Sequence, residues 1–463
     1  MTTSTTAPRR TSTTVLTTGL MLFALFFGSG NLIFPPVVGA SAGSHFLPVL
    51  LGFLATSVLL PLTAIVAVST SGEGILGLAR RVGPRFGVVM PLAVYLSIGP
   101  LYVAPRVTTV SYELATRPVL ELLGLTPGRP ALFVHAVVFL GVTVLVALRP
   151  SRIANRVGRW LTPALLLLLA VLCVATVTGS SPVDRAATGA YASAPLTTGL
   201  TQGYLTMDVL AASVFGIVVI QALRDQGLHG TRQVARATVS SGLIAAVLLA
   251  VVYVGLAMIG QRTDGDVTDG AGLLRAAASV NLGTLGTLLF AAIAVLACLT
   301  TSVGLLSSWS GYAVTVVPRL PFDRHLLVSA LVSLVLANLG LSEIIVVLSP
   351  VIVILYPVAM TLVVATLIDV AAPGHLRAAY LWPVAVSTVL AVLSALPSLG
   401  EERVSALLAR TGLWNDSTGW ILPTLLALAV GLVVDVGTGR WSTPAPDASG
   451  IQEEVEHVIA SLS

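Results

Sequence analysis

Long apolar runs, each close to 20 residues and separated by short polar or arginine-bearing stretches, recur from one end of the chain to the other. A run of that length crosses a bilayer as an α-helix. The runs fall at residues 15–40, 46–70, 88–113, 131–148, 159–179, 200–223, 237–260, 283–312, 326–341, 344–367, 379–397 and 419–437. Several contain Gly or Pro, which membrane helices tolerate where neighbours re-satisfy the freed backbone groups. The pattern predicts an all-α polytopic membrane protein with twelve transmembrane helices.

Spans one to five (15–179) and six to ten (200–367) make two blocks of five, and 379–437 supplies two more helices. An odd number of crossings per block forces the second block to enter from the opposite side, which is the geometry of an inverted repeat. Phe27-Gly28 in the first span is echoed by Phe215-Gly216 in the sixth, both followed by aliphatic residues.

Charge sets the orientation. Only 10% of the 463 residues are charged and 56% are hydrophobic, against about 25% charged in a soluble domain. The net charge of +4 is a property of loops and topology and does not point to nucleic acid. All 24 basic residues are Arg. With the N-terminus (1–14) cytoplasmic, 16 of them fall in inner segments and 7 in outer ones, leaving Arg106 within a span. That bias places both termini inside and makes residues 441–463 a cytoplasmic tail. Arg9-Arg10 and Ala40-Ser41-Ala42 resemble a signal peptide and its cleavage site, but the run is too long and too interrupted for that, so it is expected to stay as the first span. Cys173 and Cys298 lie in apolar runs and read as buried small hydrophobes. His45, His135, His229, His325 and His375 show no metal-ligand spacing.

Two stretches carry candidate chemistry. Gly28-Ser29-Gly30-Asn31 interrupts the first apolar run, and glycine both weakens a helix and permits positive φ. Unwound backbone is tolerated at membrane depth only inside protein or beside a cavity. The amides of Ser29, Gly30 and Asn31, at the positive end of the following half-helix, suit a carboxylate. Carbonyls before the break, around Ala24 and Phe27, suit a cation. The alternative is a small-residue packing motif; Asn31 and Pro35-Pro36 favour the break. In span eight, Ala297, Thr300 and Thr301 share one helix face and offer a carbonyl and two hydroxyls to a hard monovalent cation. The alternative is that these threonines bond back to their own helix.

The segments FALFFGSGNLIFPP, GPLYVAPR with its following TT and SYE, and QGYLTMDVLAASVFG resemble the branched-chain amino acid:cation symporters, the BrnQ-type family grouped with the LeuT-fold transporters. The resemblance implies a LeuT-like 5+5 inverted repeat with broken helices 1 and 6, and import of Leu, Ile and Val coupled to Na⁺ or H⁺. It implies that Ser29, Gly30 and Asn31 hold the substrate carboxylate and that Na⁺ is held by main-chain oxygens near Ala24, Phe27 and Ala297 with the Thr300 and Thr301 hydroxyls. An aliphatic side chain needs an apolar pocket, which Phe27, Val214 and Phe215 can build, and Gly28 and Gly216 complete the expected substrate-binding set. The basic residue that LeuT-like sequences carry after the Asn is absent here. Arg106, with Asp208 or Glu343 as partner, is the candidate outer gate, and a merely structural ion pair is the alternative.

Other readings compete. A proton-coupled carrier, or one for another neutral amino acid, fits the same fold, with Asp208 and Glu113 as titratable candidates. A membrane-embedded enzyme would want a metal or acid–base cluster, and the sequence shows no HExxH and no paired carboxylates within a span. The expected partners are the bilayer and a small amino acid, with no organic cofactor.

Overall fold

The structure, a computed structural model, describes residues 11–71, 75–149, 154–228, 230–266, 269–372, 374–397 and 418–442. The expectations for residues 1–10, His229, Arg403, Arg410 and the tail from 443 onward lie outside the described residues.

The first apolar run becomes two helices, α1 (Thr11–Phe26) and α2 (Ser29–Ser41), which meet at 73°. Then follow α3 (Gly43–Ser69), α4 (Ile75–Arg80), α5 (Pro84–Leu122), α6 (Arg129–Ala147) and α7 (Arg156–Gly179). The sixth run is also broken, into α8 (Pro195–Tyr204) and α9 (Asp208–Asp225), which meet at 42°. The remainder is α10 (Thr231–Arg262), α11 (Gly270–Val316), α12 (Phe322–Ala337), α13 (Leu341–Ala371), α14 (Ala378–Ala395) and α15 (Ile421–Gly437). Every predicted apolar run therefore carries a helix. Among the described residues, eight unbroken helices and two bent pairs are long and apolar enough to cross, ten crossings in all if each pair is one span. The ninth and twelfth runs carry shorter helices, α12 with 16 residues and α15 with 17.

The eighth run starts where it does for a backbone reason. Gly283 sits at φ +59 inside α11 and divides the Gly270–Leu282 segment from the part that carries the eighth run. Only glycine adopts that conformation at little cost.

Small residues let α2 reach its neighbours. A Cβ on Gly39 would lie 1.9 Å from the Ala257 carbonyl oxygen of α10, and one on Gly260 would lie 2.0 Å from that of Pro36. The two backbones touch, as small-residue membrane interfaces allow. Gly39→Val is expected to cost about 1–3 kcal/mol by overpacking, read as a lower thermal midpoint in detergent.

The last two helices are fastened by charge. Asp435 of α15, fully buried, accepts the backbone N–H groups of Arg377, Ala378 and Ala379 at 2.9, 3.1 and 2.9 Å. It thereby caps the start of α14, whose first amides have no helical acceptor. Nearby, Arg81 pairs with Asp369 of α13 and donates to Tyr380 Oη of α14 at 2.8 Å.

Candidate functional site

At the first break the chain leaves the helix for only two residues. Phe27 N donates to Phe23 O and Gly28 N to Phe26 O, both at 2.8 Å, and the helix restarts at Ser29. Asn31 N–H does not donate to the Phe27 carbonyl, as it would in an unbroken helix, and Ser29, Gly30 and Asn31 form the first turn of α2. The unwinding is thus shorter than the Gly28–Asn31 stretch expected from sequence. Its glycine also serves a different purpose. Gly28 is extended (φ −101, ψ −166), a conformation open to any residue. It must be small because a Cβ there would lie 3.0 Å from Thr301 Oγ1.

The second break sits at Leu205–Met207, before the Phe215-Gly216 echo. Met207 is the one non-glycine residue with positive φ among the described residues, at 58°. Such a conformation costs about 1–3 kcal/mol. No backbone N–H donates to the carbonyls of Leu205 or Thr206. The echo therefore does not mark this break. Gly216 lies inside α9, where a Cβ would meet Val68 Cγ1 at 2.2 Å.

A cavity of about 310 Å³ joins the two breaks and is walled mostly by apolar side chains of α1, α2, α5, α9, α11 and α13. Of the eight residues expected to bind substrate, it is lined by Gly28, Ser29, Gly30, Asn31 and Phe215. Phe27, Val214 and Gly216 are not on its wall. Phe27 instead stacks on Phe23 at 5.4 Å and packs against Tyr253 at 6.4 Å. In its place stand Phe34, Ile98, Val103, Leu210 and Ile352, which sequence reasoning did not single out. They come from four different helices, α2, α5, α9 and α13, and only the fold assembles them.

Asn31 is engaged. Its amide donates to Asp208 Oδ2 at 2.8 Å and also to Tyr253 Oη, while Tyr253 Oη lies 3.4 Å from Asp208 Oδ2. This buried trio ties the start of α2 to the start of α9 and to α10. Each polar atom in it satisfies another, as low-dielectric surroundings demand. Asp208, expected near the start of span six, sits directly after the second break.

Consequently the expected outer ion pair is not formed. Arg106 lines the cavity with Asp208, yet its guanidinium lies over the Tyr102 ring at 5.7 Å and donates to Tyr102 Oη at 3.3 Å. Glu343 is exposed at the start of α13 and does not line the cavity. Glu113 pairs with Arg117 at 2.8 Å, away from the breaks.

The oxygens expected to hold a cation gather beside the first break. Thr300 Oγ1 donates to the Ala24 carbonyl at 2.8 Å and approaches that of Ala297 at 3.1 Å. Thr301 Oγ1 donates to the Leu25 carbonyl at 3.2 Å. The threonines thus reach across to α1, and do not only bond back within α11. The donor set is neutral carbonyl and hydroxyl oxygen, the chemistry that replaces the hydration shell of a hard monovalent ion. No group of three or more His, Cys, Asp or Glu suited to a metal ion occurs among the described residues.

Comparison with known proteins agrees with this architecture. The chain is 43% identical over 421 residues to the branched-chain amino acid permease BrnQ of Corynebacterium glutamicum, covering 91% of this chain and 95% of that one. It is 36% identical over 427 residues to the branched-chain amino acid permease BraB of Bacillus subtilis, covering 91% and 95%. Among solved structures it resembles a nucleobase-cation-symport-1 family transporter in a closed conformation, with TM-score 0.60 and 15% identity over 96% of both chains. At that identity the likeness speaks for the LeuT-like fold alone. Residues 11–437 match the family described as branched-chain amino acid transport protein. Twelve apolar runs, two broken helices and this match across nearly the whole chain make it a polytopic membrane transporter, and it belongs to the branched-chain amino acid transport protein family.

Proposed function

We propose that the protein imports leucine, isoleucine and valine across the cell membrane together with Na⁺, by alternating access, with both termini cytoplasmic. The observation that carries this reading is the junction of α1, α2 and α11. There the Thr300 hydroxyl meets the Ala24 carbonyl, and Ser29, Gly30 and Asn31, the first turn of α2, line the cavity. A helix N-terminus attracts a carboxylate. The substrate carboxylate goes to the amides of that turn, its ammonium faces the carbonyls of Leu205 and Thr206, and its aliphatic side chain lies against the apolar wall. Na⁺ is bound by the Ala24, Phe27 and Ala297 carbonyls with the Thr300 and Thr301 hydroxyls. One methylene is worth only about 1–3 kcal/mol, so a single site accepts all three substrates.

Arg106 and Tyr102 form the outer cover of the site in this reading. Arg106→Gln is expected to raise the KM for leucine about tenfold. Unchanged kinetics and unchanged access to the outer vestibule would remove Arg106 from the gate.

The experiment that tests the assignment is thermal stabilisation of the purified protein by Leu, Ile, Val and Ala, with and without Na⁺. Stabilisation by the three branched residues, larger in Na⁺ than in choline and weak for Ala, is expected. Equal stabilisation in both salts would support the second reading, proton coupling. One observation favours that second reading: Asp208 is a buried carboxylate on the cavity wall, and among the described residues it has no basic partner.

A further inference from the structure

The carbonyls exposed at the second break belong to a segment held from behind by α13 and α15. Tyr204, the last residue of α8, is buried between two aromatic side chains from these helices. Tyr356 of α13 packs edge-on against its ring at 4.8 Å and donates its hydroxyl to the Tyr204 carbonyl at 3.2 Å. That carbonyl also accepts the backbone N–H of Met207 at 3.1 Å, so α13 and the turn itself meet on it. Trp420, at the start of α15, lies 6.3 Å from the same ring and donates its indole N–H to Tyr204 Oη at 3.0 Å. Indole nitrogen is a donor only, so this bond has one possible direction.

On the opposite side α8 is locked to α3. A Cβ on Gly203 would lie 2.3 Å from the Phe53 carbonyl oxygen, and Thr56 Oγ1 donates to the Leu200 carbonyl at 2.7 Å. Two rigid faces therefore leave one adjustable element between α8 and α9, the turn Leu205–Met207. A small chamber of about 80 Å³ lies behind that turn and is bounded by Trp420, Tyr356 and Ser394. Leu205, Met207 and Val353 line both this chamber and the main cavity. Pro357 has no N–H, so it cannot close the usual helical bond to the Val353 carbonyl. The wall shared by the two spaces thus includes the carbonyls of Leu205 and Thr206, which accept no backbone N–H, and that of Val353, which Pro357 cannot pair.

We propose that Trp420 is a positioning residue for substrate recognition: through its hydrogen bond to Tyr204 it fixes the turn Leu205–Met207, which lines the cavity and whose first two carbonyls accept no backbone N–H. The proposal rests on the cavity being the substrate site and gives the last helix, α15, a role in affinity. It is distinct from the capping of α14 by Asp435, which lies at the other end of α15.

The test compares the full-length protein with Trp420→Phe, which keeps an aromatic ring and removes the donor. The first readout needs no transport. A cysteine introduced as Thr206→Cys is labelled with a membrane-impermeant thiol reagent, with the same protein lacking that change as the blank. Labelling is expected to be at least fivefold faster when Trp420→Phe is added. The second readout is kinetic: the KM for leucine rises five- to tenfold while Vmax stays within twofold. Tyr204→Phe is expected to do the same, and the double variant to be no worse than either single one, because one bond is removed in all three. Tyr204→Phe also serves as the second variant should Trp420→Phe fail to fold. Unchanged labelling overturns the proposal, as does a loss of Vmax and thermal stability at constant KM. Absence of leucine uptake by the unaltered protein contradicts the substrate assignment instead, and the labelling result still decides the role of Trp420.

Discussion

Thr300→Val is expected to raise the Na⁺ concentration for half-maximal leucine uptake at least tenfold, and Thr300→Val with Thr301→Val to abolish stimulation by Na⁺. Valine matches threonine in shape, so the change deletes an oxygen and leaves the packing of α11 on α1 in place. The hydroxyl of Thr300 is fully buried and points at the Ala24 carbonyl across the interface. Its loss removes one ligand from the neutral set and leaves a buried carbonyl without a donor. A tenfold change corresponds to about 1.4 kcal/mol, within the ordinary worth of one buried oxygen contact. Thr300→Ser, which restores the oxygen, is expected to stay within threefold of the unaltered protein. Initial-rate uptake in proteoliposomes against external Na⁺ makes the measurement. If the threonines serve only to join α11 to α1, the valine variants lose thermal stability and keep their Na⁺ dependence.

The second large effect concerns the polar trio at the breaks. Asp208→Ala is expected to lower leucine uptake per molecule at least a hundredfold. Asp208 Oδ2 accepts from Asn31 and lies within hydrogen-bonding distance of Tyr253 Oη. Without it each loses one buried hydrogen-bonding partner, at about 1–3 kcal/mol for a buried polar group left unsatisfied, and only the Asn31–Tyr253 contact remains. The cost falls on the arrangement that fixes α2 against α9, so a large share of molecules leaves the competent geometry. Asn31→Ala is expected to act in the same direction, and the double variant to be no worse than Asp208→Ala. That non-additivity is the mark of groups acting together. Uptake normalised to monodisperse protein separates this loss from poor expression.

The outline of the site is legible in the first apolar run because Gly28, Ser29, Gly30 and Asn31 contradict their surroundings. A polar, flexible insert in a lipid-depth segment has few physical outcomes, and a broken helix is the one found. The Thr300–Thr301 pair is legible for the same reason. Helical spacing, however, does not say which neighbour the hydroxyls reach; the contacts to Ala24 and Leu25 depend on how α1 and α11 cross.

What was not legible depends on distance along the chain. Asn31 and Asp208 are 177 residues apart, and Trp420 and Tyr204 are separated by 216. An isolated aromatic in an apolar run carries no periodic signal, so Tyr253, Tyr204 and Trp420 gave no warning. The second break has no glycine. It is made by Met207 in a left-handed conformation that sequence disfavours and packing imposes. Phe27 is apolar enough to suit an aliphatic pocket, yet its ring packs on Phe23 and Tyr253 instead. Arg106 was marked by its charge, but charge alone does not reveal that the nearest polar neighbour is the hydroxyl of Tyr102, one turn earlier.

Joint capture of an amino acid and a sodium ion at the interrupted first helix is tested most directly by radiolabelled leucine in proteoliposomes under an imposed Na⁺ gradient, with pH equal on both sides. Accumulation above the external concentration, collapsing when the Na⁺ gradient is dissipated and reduced in Thr300→Val, is expected. Concentrative uptake that ignores Na⁺ and follows an imposed pH gradient would contradict it.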